Sequence, residues 1–600
     1  MRGSVQSPSK TTCIEIEITP HPLSVRYSVT YRGVPVITSA GLEISFAGAP
    51  HAMRRFDPVQ MREHRHRSRW TPVCSDRSEI VDAFNGLSVV LKEADRDGRA
   101  LVVEFRAYDE GVALRYTLPD ERWNNAEIAG DHTQFRFPKG ASAYEEHGTE
   151  GEYELRPIAQ IRQGCQIPLT VVLPGCFAAI AEAGVFDHSQ MLLDPVAGDG
   201  DALQSSLCGP MKVRAPFSTP WRVIILGTTP AELLAHRYII ENLNPPCALT
   251  DTSWIKPGKV LREVTLSTAG GKACVDFAVR HNLQYILFDA GWYGPETALG
   301  SDATRAAPDP KKAAPGAGPL DLQDVIDYAE SRGIGVFLYV NRRALERQLE
   351  EIFPLYARWG VRGVKFGFVN VGSQEAMAFL HKAVRLAAEQ RLLVNIHDAY
   401  RPTGMSRMYP NLLTQEGVRG NEHMPTATHN ATLPFVRFTT GPADYTVCYY
   451  SPRIKTTRAH QLALSVVFFS PLQALFWYDR PSDYRGEPEI EFFGHVPTVW
   501  DQTEVVHDEI GVCATIARRS GERWFLGSIT NDHPREVTIP LTFLEPARAY
   551  RAHVYRDGPP PSDSRTNVDV EVVPVNRDSV LTLELRPSGG VAAMIVPAGS

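Results

Sequence analysis

The sequence lacks the features that mark several common classes of protein. Its nine cysteines are scattered singly with no CxxC pair, which argues against a disulfide framework and against a thiolate zinc site. No apolar stretch approaches the length of about 18 residues that a membrane span needs, so we expect no membrane insertion. Charges of one sign do not cluster, and the formal net charge is only −7. We therefore expect no nucleic-acid partner, and a substrate that is small or neutral.

The first ten residues, MRGSVQSPSK, also lack the apolar segment of a secretory signal. The compartment stays open: cytoplasmic for the sequence as written, periplasmic if a leader precedes it. What the sequence does contain is 43% apolar and 9% aromatic residues over 600 positions. That content is enough for several domains with large packed cores.

The chain divides into three parts by pattern. Residues 1–247 carry short alternating runs such as TCIEIEIT and LVVEFRAYDEGVALRYTL, which predict an N-terminal domain of packed antiparallel sheets. Residues 248–480 change to alternating strands and helices. Strand patterns return in residues 481–600, for example in ERWFLGSIT and REVTIPLTFL, and predict a small C-terminal β-sandwich.

The central part predicts a (β/α)₈ barrel, a TIM-type fold. Amphipathic segments such as DLQDVIDYAESRG and EAMAFLHKAVRLAAEQ have helical spacing. Between such segments lie eight candidate strands: Ser253–Lys256, Tyr285–Asp289, Val336–Asn341, Val364–Val369, Leu393–Asp398, Leu412–Glu416, Ala443–Thr446 and Leu472–Trp477. Because barrel enzymes place their active sites at the carboxyl ends of the strands, residues at those ends are the candidates for chemistry.

The stretch 393–423, LVNIHDAYRPTGMSRMYPNLLTQEGVRGNEH, concentrates such residues. An apolar strand ends in His397 and Asp398, and Glu416 and Glu422 follow the next strand. Six residues of straight strand would hold those two glutamates about 20 Å apart, so they share a site only if the chain bends between them. Gly417 and Gly420 permit the bend. The pattern favours a hydrolytic or oxygen-ligated metal site.

These segments resemble glycoside hydrolase family 97. The resemblance rests on SWIKPGK at 253–259, FDAGWYG at 288–294, LYARWGVRGVKFGF at 355–368, HDAYRPTGMSRMYPNLLTQEGVRGNE at 397–422 and GPADYT at 441–446. It implies an exo-acting α-glycosidase, acting on α-glucosides or α-galactosides, with a calcium ion in the active site. It also implies that a small glycoside or oligosaccharide is the substrate.

The resemblance further assigns roles to particular residues. It makes Glu422 the general acid and Glu416 a calcium ligand. It implies that a glutamate of the N-terminal domain reaches the ion from the acidic loop YEEHGTEGEYE at 144–154; we expect Glu152, with Glu150 as the alternative. The expected metal shell is Glu152, Glu416, Glu422 and Asp398, and such oxygen ligands suit calcium, which takes about six to eight of them.

The chain departs from the family where the mechanism is decided. Retaining members carry an aspartate nucleophile in a KVDF-like motif after the fourth strand, and this chain has Gly367 in VKFGF. Inverting members place base glutamates after the third and fifth strands, where this chain has Arg342–Arg343 and Asp398. We therefore expect inversion, with Asp398 as base and Glu422 as acid, their carboxyl groups about 6.5–9.5 Å apart. The alternative for Asp398 is a metal ligand without a catalytic role.

Further side chains are expected to bind the substrate. Trp292 would stack on a sugar ring while Asp289 takes hydroxyls. The same role is expected of Lys256, Arg401, His397 and Asp444. For Lys256 and Arg401 the alternative is pairing with a neighbouring acid, and for His397 it is a satisfied histidine at the barrel rim.

Two alternatives keep the fold and change the function. One is a carbohydrate-binding protein without hydrolytic activity, because the usual nucleophile and one usual base are missing. The other is a retaining enzyme in which a displaced acid such as Glu346 acts as nucleophile. Selectivity for glucosides or galactosides and the oligomeric state are left open by the sequence.

Overall fold

The computed structural model describes residues 1–19, 22–49, 51–94, 98–558 and 565–599. The protein has a central parallel barrel between two β-rich domains, which confirms the expected fold class. Each of the nine cysteines is a free thiol. Among the described helices, none combines the length and apolar character that a membrane crossing needs.

The N-terminal domain consists of antiparallel strands in a ten-stranded sheet, a four-stranded sheet and two three-stranded sheets. The alternation in its sequence places one face of each long strand in the core, as in Thr12–Thr19, where Ile14, Ile16 and Ile18 are buried. The strands are Arg2–Gln6, Thr12–Thr19, Ser24–Tyr31, Val34–Leu42, Ile44–Phe46, Phe56–Trp70, Ile80–Glu93, Ala100–Tyr108, Gly111–Leu118, Glu127–Asp131, Gln134–Arg136, Ser142–Glu145, Glu154–Pro157, Leu169–Leu173, Cys176–Ala183, Met191–Val196, Asp199–Leu207, Met211–Lys212, Phe217–Ser218 and Trp221–Gly227. Helices Pro230–His236 and Ile239–Asn242 end the domain.

The barrel has seven parallel strands, with the last strand pairing with the first. In chain order they are Gly258–Glu263, Tyr285–Phe288, Gly335–Asn341, Gly363–Gly367, Leu393–Ile396, Leu412–Gln415 and Leu472–Leu475. All but the first are buried along their whole length, as expected for strands covered on both faces. The helices of this part are Thr268–Arg280, Leu322–Glu330, Arg342–Trp359, Gln374–Glu389, Met405–Met408, Ala427–Thr432, Arg458–Val467 and Glu491–His495.

Two of the eight expected barrel strands differ from the structure. The first strand is Gly258–Glu263 rather than Ser253–Lys256, since Ile255 closes a turn onto Thr252 and the chain becomes extended only after Pro257. The expected strand Ala443–Thr446 is not a regular strand. Its backbone instead bridges the gap between the sixth and last strands, with the Asp444 amide donating to Gln415 and the Val447 amide to Ala474. Thr446 has a φ of +58°, which interrupts any regular ladder.

The two outer domains pack on different parts of the barrel. The N-terminal domain contacts the loops that follow the fifth and sixth strands, for example through Gly184 to Thr403 and Thr170 to Phe435. The C-terminal domain packs on helix Arg458–Val467, where Arg518 donates to the carbonyl of Val466. Its strands are Gln502–Glu509, Cys513–Ser520, Arg523–Thr530, Arg535–Pro540, Tyr550–Asp557, Val568–Val575, Val580–Leu585 and Gly590–Pro597. The N-terminal domain therefore reaches the carboxyl-end face of the barrel.

Candidate active site

The fifth and sixth strands carry their carboxylates to one place at the barrel mouth. The amide of Glu416 donates to the carbonyl of Ile396 and the amide of Gly417 to the carbonyl of Asp398, each at 2.8 Å, so the two segments stay paired beyond their last regular residues. Gly417 has a φ of +51°, and the Tyr400 carbonyl lies 2.7 Å from where a Cβ would stand. A side chain does not fit there, so glycine makes the bend that the sequence predicted.

His397 is locked between two carboxylates. Its Nδ1 lies 2.9 Å from Glu416 Oε2 and its Nε2 lies 2.9 Å from Asp444 Oδ2, with all three side chains buried. Burial alone would lower the pKa of His397, but Glu416 and Asp444 raise it to about 10. The imidazolium therefore donates to both acids. Neither ring nitrogen is free for a sugar hydroxyl, so the expected substrate-binding role of His397 is wrong.

Asp444 holds the imidazole of His397 at its Nε2 side and does not present its carboxylate to a substrate. Its Oδ2 accepts hydrogen bonds from His397 and, at 2.7 Å, from Asn395 Nδ2, and its Oδ1 accepts from the amide of Thr446 at 3.3 Å. Both oxygens are occupied and the residue is buried. Asp444 thus positions His397, and the prediction that it binds the substrate is wrong.

A glutamate of the N-terminal domain does reach the site, but it is Glu150. The side chain of Glu150 is 14% exposed and its carboxylate contacts Nε2 of His423. The side chain of Glu152 is 64% exposed and pairs with Arg419 at 3.3 Å. The expected assignment to Glu152 is therefore wrong, because these two barrel partners turn Glu150 inward and Glu152 outward.

Three carboxylates converge tightly. Glu150, Asp398 and Glu416 each contribute an oxygen, and these oxygens lie within 4.8 Å of one another. Burial, reinforced by neighbouring carboxylates, raises the pKa of Glu416 and of Glu150 although histidines oppose it. Only Oε2 of Glu416 accepts hydrogen bonds from described residues, which leaves Oε1 open. Three acids so close are stable as anions only with further positive charge nearby.

Asp398 is held by its backbone in an unusual conformation. It has a φ of +63°, rare for a residue other than glycine. Its amide donates to Glu416 Oε2 at 2.7 Å, and its Oδ2 accepts from the amide of Val369 at 3.0 Å. Burial raises the pKa of Asp398, although His397 opposes the shift. Such over-determined strain is typical of functional positions, where it costs about 1–3 kcal/mol.

Glu422 is not part of the group formed by Glu150, Asp398 and Glu416. It belongs to a second group with Glu416 and His397, whose ligand atoms also lie within 4.8 Å of one another. The side chain is half-buried, and it makes no hydrogen bond or ion pair to another residue within the described ranges. The carboxyl group of Glu422 is therefore free to face a ligand in the barrel mouth.

The barrel mouth also carries two cations that the sequence did not reveal, the buried Lys365 and the partly exposed Arg262. Lys365 interacts electrostatically with Glu416, Glu422 and Asp444 as well as with Asp289. Lys365 lies 3.2 Å from Asp289 Oδ1, and Arg262 lies 3.1 Å from Asp289 Oδ2. Burial alone would raise the pKa of Asp289, but these cations hold it at about 2. Lys365 Nζ also stands 4.3 Å from the ring centre of Trp477. Arg262 was missed because the first strand was predicted at Ser253–Lys256 and the true strand is Gly258–Glu263. Lys365 was missed because it lies inside a predicted strand and not at its carboxyl end.

Three predicted substrate-binding residues lie elsewhere. Trp292 is 0% exposed and donates its indole N–H to the carbonyl of Tyr339, so it packs in the core and does not stack on a sugar. Lys256 lies at the amino end of the barrel, where Tyr285 donates to its carbonyl. Arg401 is buried against Glu146 and Gln166 and ties the N-terminal domain to the barrel. These three predictions are wrong.

The last position of the fourth strand, Gly367, has no room for a side chain. A Cβ on Gly367 would stand 2.6 Å from the hydroxyl oxygen of Tyr339 and would overlap its ring. Tyr339 is buried, and its hydroxyl accepts a hydrogen bond from Asn341 at 3.2 Å. The ring of Tyr339 therefore fills the space into which a longer residue at 367 would point.

Family models match the chain in the order of these domains. The glycosyl-hydrolase 97 N-terminal model covers residues 5–246, the glycoside hydrolase 97 model covers 254–418, and the model described as glycosyl-hydrolase 97 C-terminal, oligomerisation, covers 499–596. The chain belongs to glycoside hydrolase family 97. It is an enzyme of the α-galactosidase and α-glucosidase type, and its substrates are carbohydrates in α-linkage. The resemblance drawn from the sequence is confirmed.

Known members of family 97 are similar along most of the chain. A retaining α-galactosidase of Bacteroides thetaiotaomicron is 29% identical, over 86% of this chain and 86% of the relative. A solved family 97 enzyme from Pseudoalteromonas sp. strain K8, in complex with acarbose, has a TM-score of 0.90 and 27% identity, covering 99% of this chain and all of that one. A variant of a family 97 enzyme from the same strain, with the same TM-score and identity, is in complex with panose.

Proposed function

We propose that this protein is an exo-acting, calcium-dependent α-glycoside hydrolase that inverts the anomeric configuration, with Glu422 as general acid and Asp398 as general base. The supporting observation is the convergence of Glu150, Asp398 and Glu416 at the barrel mouth, with an oxygen of Glu422 within 4.8 Å of one of Glu416, and the lack of space for a nucleophile at Gly367. Acarbose and panose, found with family 97 enzymes, are consistent with an oligosaccharide substrate.

The proposal of inversion is supported by the environment of Gly367. Retention needs a carboxylate nucleophile close to the acid. The chain has glycine at the expected place, and the ring of Tyr339 fills the adjoining space. Glu346, the substitute considered from the sequence, is exposed and accepts a hydrogen bond from Asn370 at 3.0 Å, outside both carboxylate groups. Asp398 is thus the anionic group best placed to activate water.

The three converging carboxylates fit a calcium ion. Oxygens that each lie about 2.3–2.6 Å from one ion are at most about 5 Å apart, and those of Glu150, Asp398 and Glu416 lie within 4.8 Å. The open Oε1 of Glu416 supplies a further hard oxygen. A bound calcium ion would neutralise this cluster and complete its shell with water or sugar hydroxyls. Glu422, also expected among the ligands, belongs to the second group, with Glu416 and His397. Its role as a further ligand stays a prediction beside its proposed role as the acid.

The proposed reaction divides the work between two side chains. Asp398 accepts a proton from a water molecule as that oxygen bonds to the anomeric carbon. The bond from that carbon to the glycosidic oxygen breaks, and the oxygen takes the proton of Glu422. His397 and Asp444 hold Glu416 in place, and the buried pair of Asp289 and Lys365 adds fixed charge close to these carboxylates. The product has inverted configuration, and solvent returns both carboxyl groups to their starting states.

The first test is hydrolysis of p-nitrophenyl α-glucoside and α-galactoside, with added calcium and then with EDTA. We expect release from at least one substrate, loss of most activity in EDTA, and recovery when calcium is restored. Glu422→Gln and Asp398→Asn should each lower kcat by about 10²-fold or more, because a general acid or base contributes about 10²–10⁴-fold. Exposed Glu152→Gln is the matched control and should leave activity unchanged.

Two results would contradict the proposal. Absence of release from both glycosides at any calcium concentration would favour a carbohydrate-binding protein. Full activity in EDTA would show that calcium is not required, and would leave the proposed roles of Asp398 and Glu422 untouched. The name of the 29% identical relative favours α-galactosides with retention, so the α-galactoside arm and the product configuration also test the second candidate, a retaining α-galactosidase.

A further inference from the structure

One aromatic ring stands out in the described part of the chain. Phe368 is 58% exposed, whereas every other phenylalanine, tyrosine and tryptophan is buried or half-buried. Single exposed apolar side chains are common on protein surfaces, so the exposure of Phe368 gains meaning only from its position.

The backbone of Phe368 is tied to the catalytic centre. The residue directly follows Gly367 at the carboxyl end of the fourth barrel strand. Its φ is +53°, a left-handed conformation that phenylalanine rarely adopts. Its amide donates to the carboxylate of Asp398, next to the amide of Val369. The strained turn therefore gives Asp398 two backbone donors and at the same time holds the ring at the rim, away from the packing between strands and helices.

The position of Asp398 and Glu422 in the barrel mouth indicates what the ring of Phe368 would contact. Asp398 and Glu422 are half-buried, and each lies close to the buried Glu416. A sugar whose anomeric carbon meets them would therefore lie inside the mouth. In an exo-acting enzyme the remainder of the substrate extends outward past the rim. A phenyl face offers that outer unit an apolar surface that matches the C–H face of a sugar ring.

We propose that Phe368 is the platform of a leaving-group subsite, on which the sugar beyond the scissile bond stacks. This inference rests on the proposed glycosidase function and adds a preference for substrates whose leaving group is itself a sugar. Phe368 would thus act through two of its parts. Its amide holds Asp398, and its ring binds the outer sugar.

Kinetics with leaving groups of different size test the platform. Phe368→Ala should lower kcat/KM about tenfold for a disaccharide, maltose or melibiose according to the wild-type preference, because aromatic stacking together with lost apolar burial is worth about 1–1.5 kcal/mol. It should leave the corresponding α-glycosyl fluoride within about twofold of wild type, because fluoride does not reach the subsite. Phe368→Trp should keep most of the disaccharide activity. Val279→Ala, an exposed apolar residue on helix Thr268–Arg280, is the matched control.

Equal losses on the disaccharide and the fluoride would overturn the platform, since they would show that Phe368 acts only by positioning Asp398. Unchanged kinetics on both substrates would overturn it as well. A binding measurement distinguishes failure of the Phe368 platform from failure of the proposed glycosidase function. In the Glu422→Gln background, Phe368→Ala should weaken disaccharide binding by calorimetry about tenfold and leave monosaccharide binding unchanged. That comparison can be made even if the wild type hydrolyses no glycoside, and equal effects on both ligands would contradict the platform.

Discussion

Replacing Gly367 with aspartate tests how firmly the structure excludes a retaining nucleophile. The new Cβ would stand 2.6 Å from the hydroxyl oxygen of Tyr339, whose ring is buried. Overpacking costs about 1–3 kcal/mol and an unpaired buried carboxylate about as much again. We expect a loss of about 3–5 kcal/mol, which for a domain of this size lowers the unfolding midpoint by roughly 10 °C.

The assay is thermal unfolding followed by circular dichroism, paired with NMR of the product anomer. Gly367→Asp alone should unfold early and should not produce a retained anomer. Adding Tyr339→Ala should recover part of the midpoint, since the two changes share one space and are not additive. Tyr339→Phe, which keeps the overlapping ring, is the control and should not rescue. Wild-type stability in Gly367→Asp, or a retained product from it, would refute the steric reasoning.

Three further predictions concern the metal ligands, a buried ion pair and the acid. Glu150→Gln should weaken calcium binding by calorimetry about tenfold or more, whereas Glu152→Gln should not change it. A loss confined to Glu152→Gln would restore the original assignment, and equal effects would contradict the choice of Glu150 over Glu152. The pKa of Asp289 is lowered to about 2 in the folded protein. The ionised Asp289 therefore adds roughly 2 kcal/mol to the free energy of unfolding, and this stabilisation is complete above about pH 4 and is lost as the pH falls towards 2. The difference in unfolding free energy between wild type and Asp289→Asn should therefore shrink over that interval, and a constant difference would contradict the pairing. Glu422→Ala with azide should give no α-glycosyl azide, because no covalent intermediate exists for azide to intercept; its appearance would indicate retention.

Sequence patterns were enough for the architecture because barrel strands covered on both faces are continuous apolar runs. They failed where local chemistry imitates a strand. Ser253–Lys256 has the right composition, but its backbone forms a turn at Thr252, and the shift moved Lys256 from the barrel mouth to the opposite end. The segment around Asp444 bridges two strands by single hydrogen bonds. Neither outcome can be read from periodicity alone.

The site was recovered in part for a similar reason. The link between the fifth and sixth strands could be predicted, because both strands end in carboxylates and a glycine follows. Glu150 and Glu152 could not be separated, because the choice depends on His423 and Arg419, which lie far along the chain. The burial of Trp292 likewise depends on a long-range acceptor, the carbonyl of Tyr339. Contacts between distant segments decide which of several suitable side chains faces the mouth.

The most direct measurement follows the first product of wild-type hydrolysis by ¹H NMR before mutarotation. Asp398 and Glu422, acting on water and leaving group in a single displacement, require the β-anomer to appear first from an α-glycoside. Initial release of the α-anomer would mean that a covalent intermediate forms on another side chain, and the assignment of Asp398 as base would have to be abandoned.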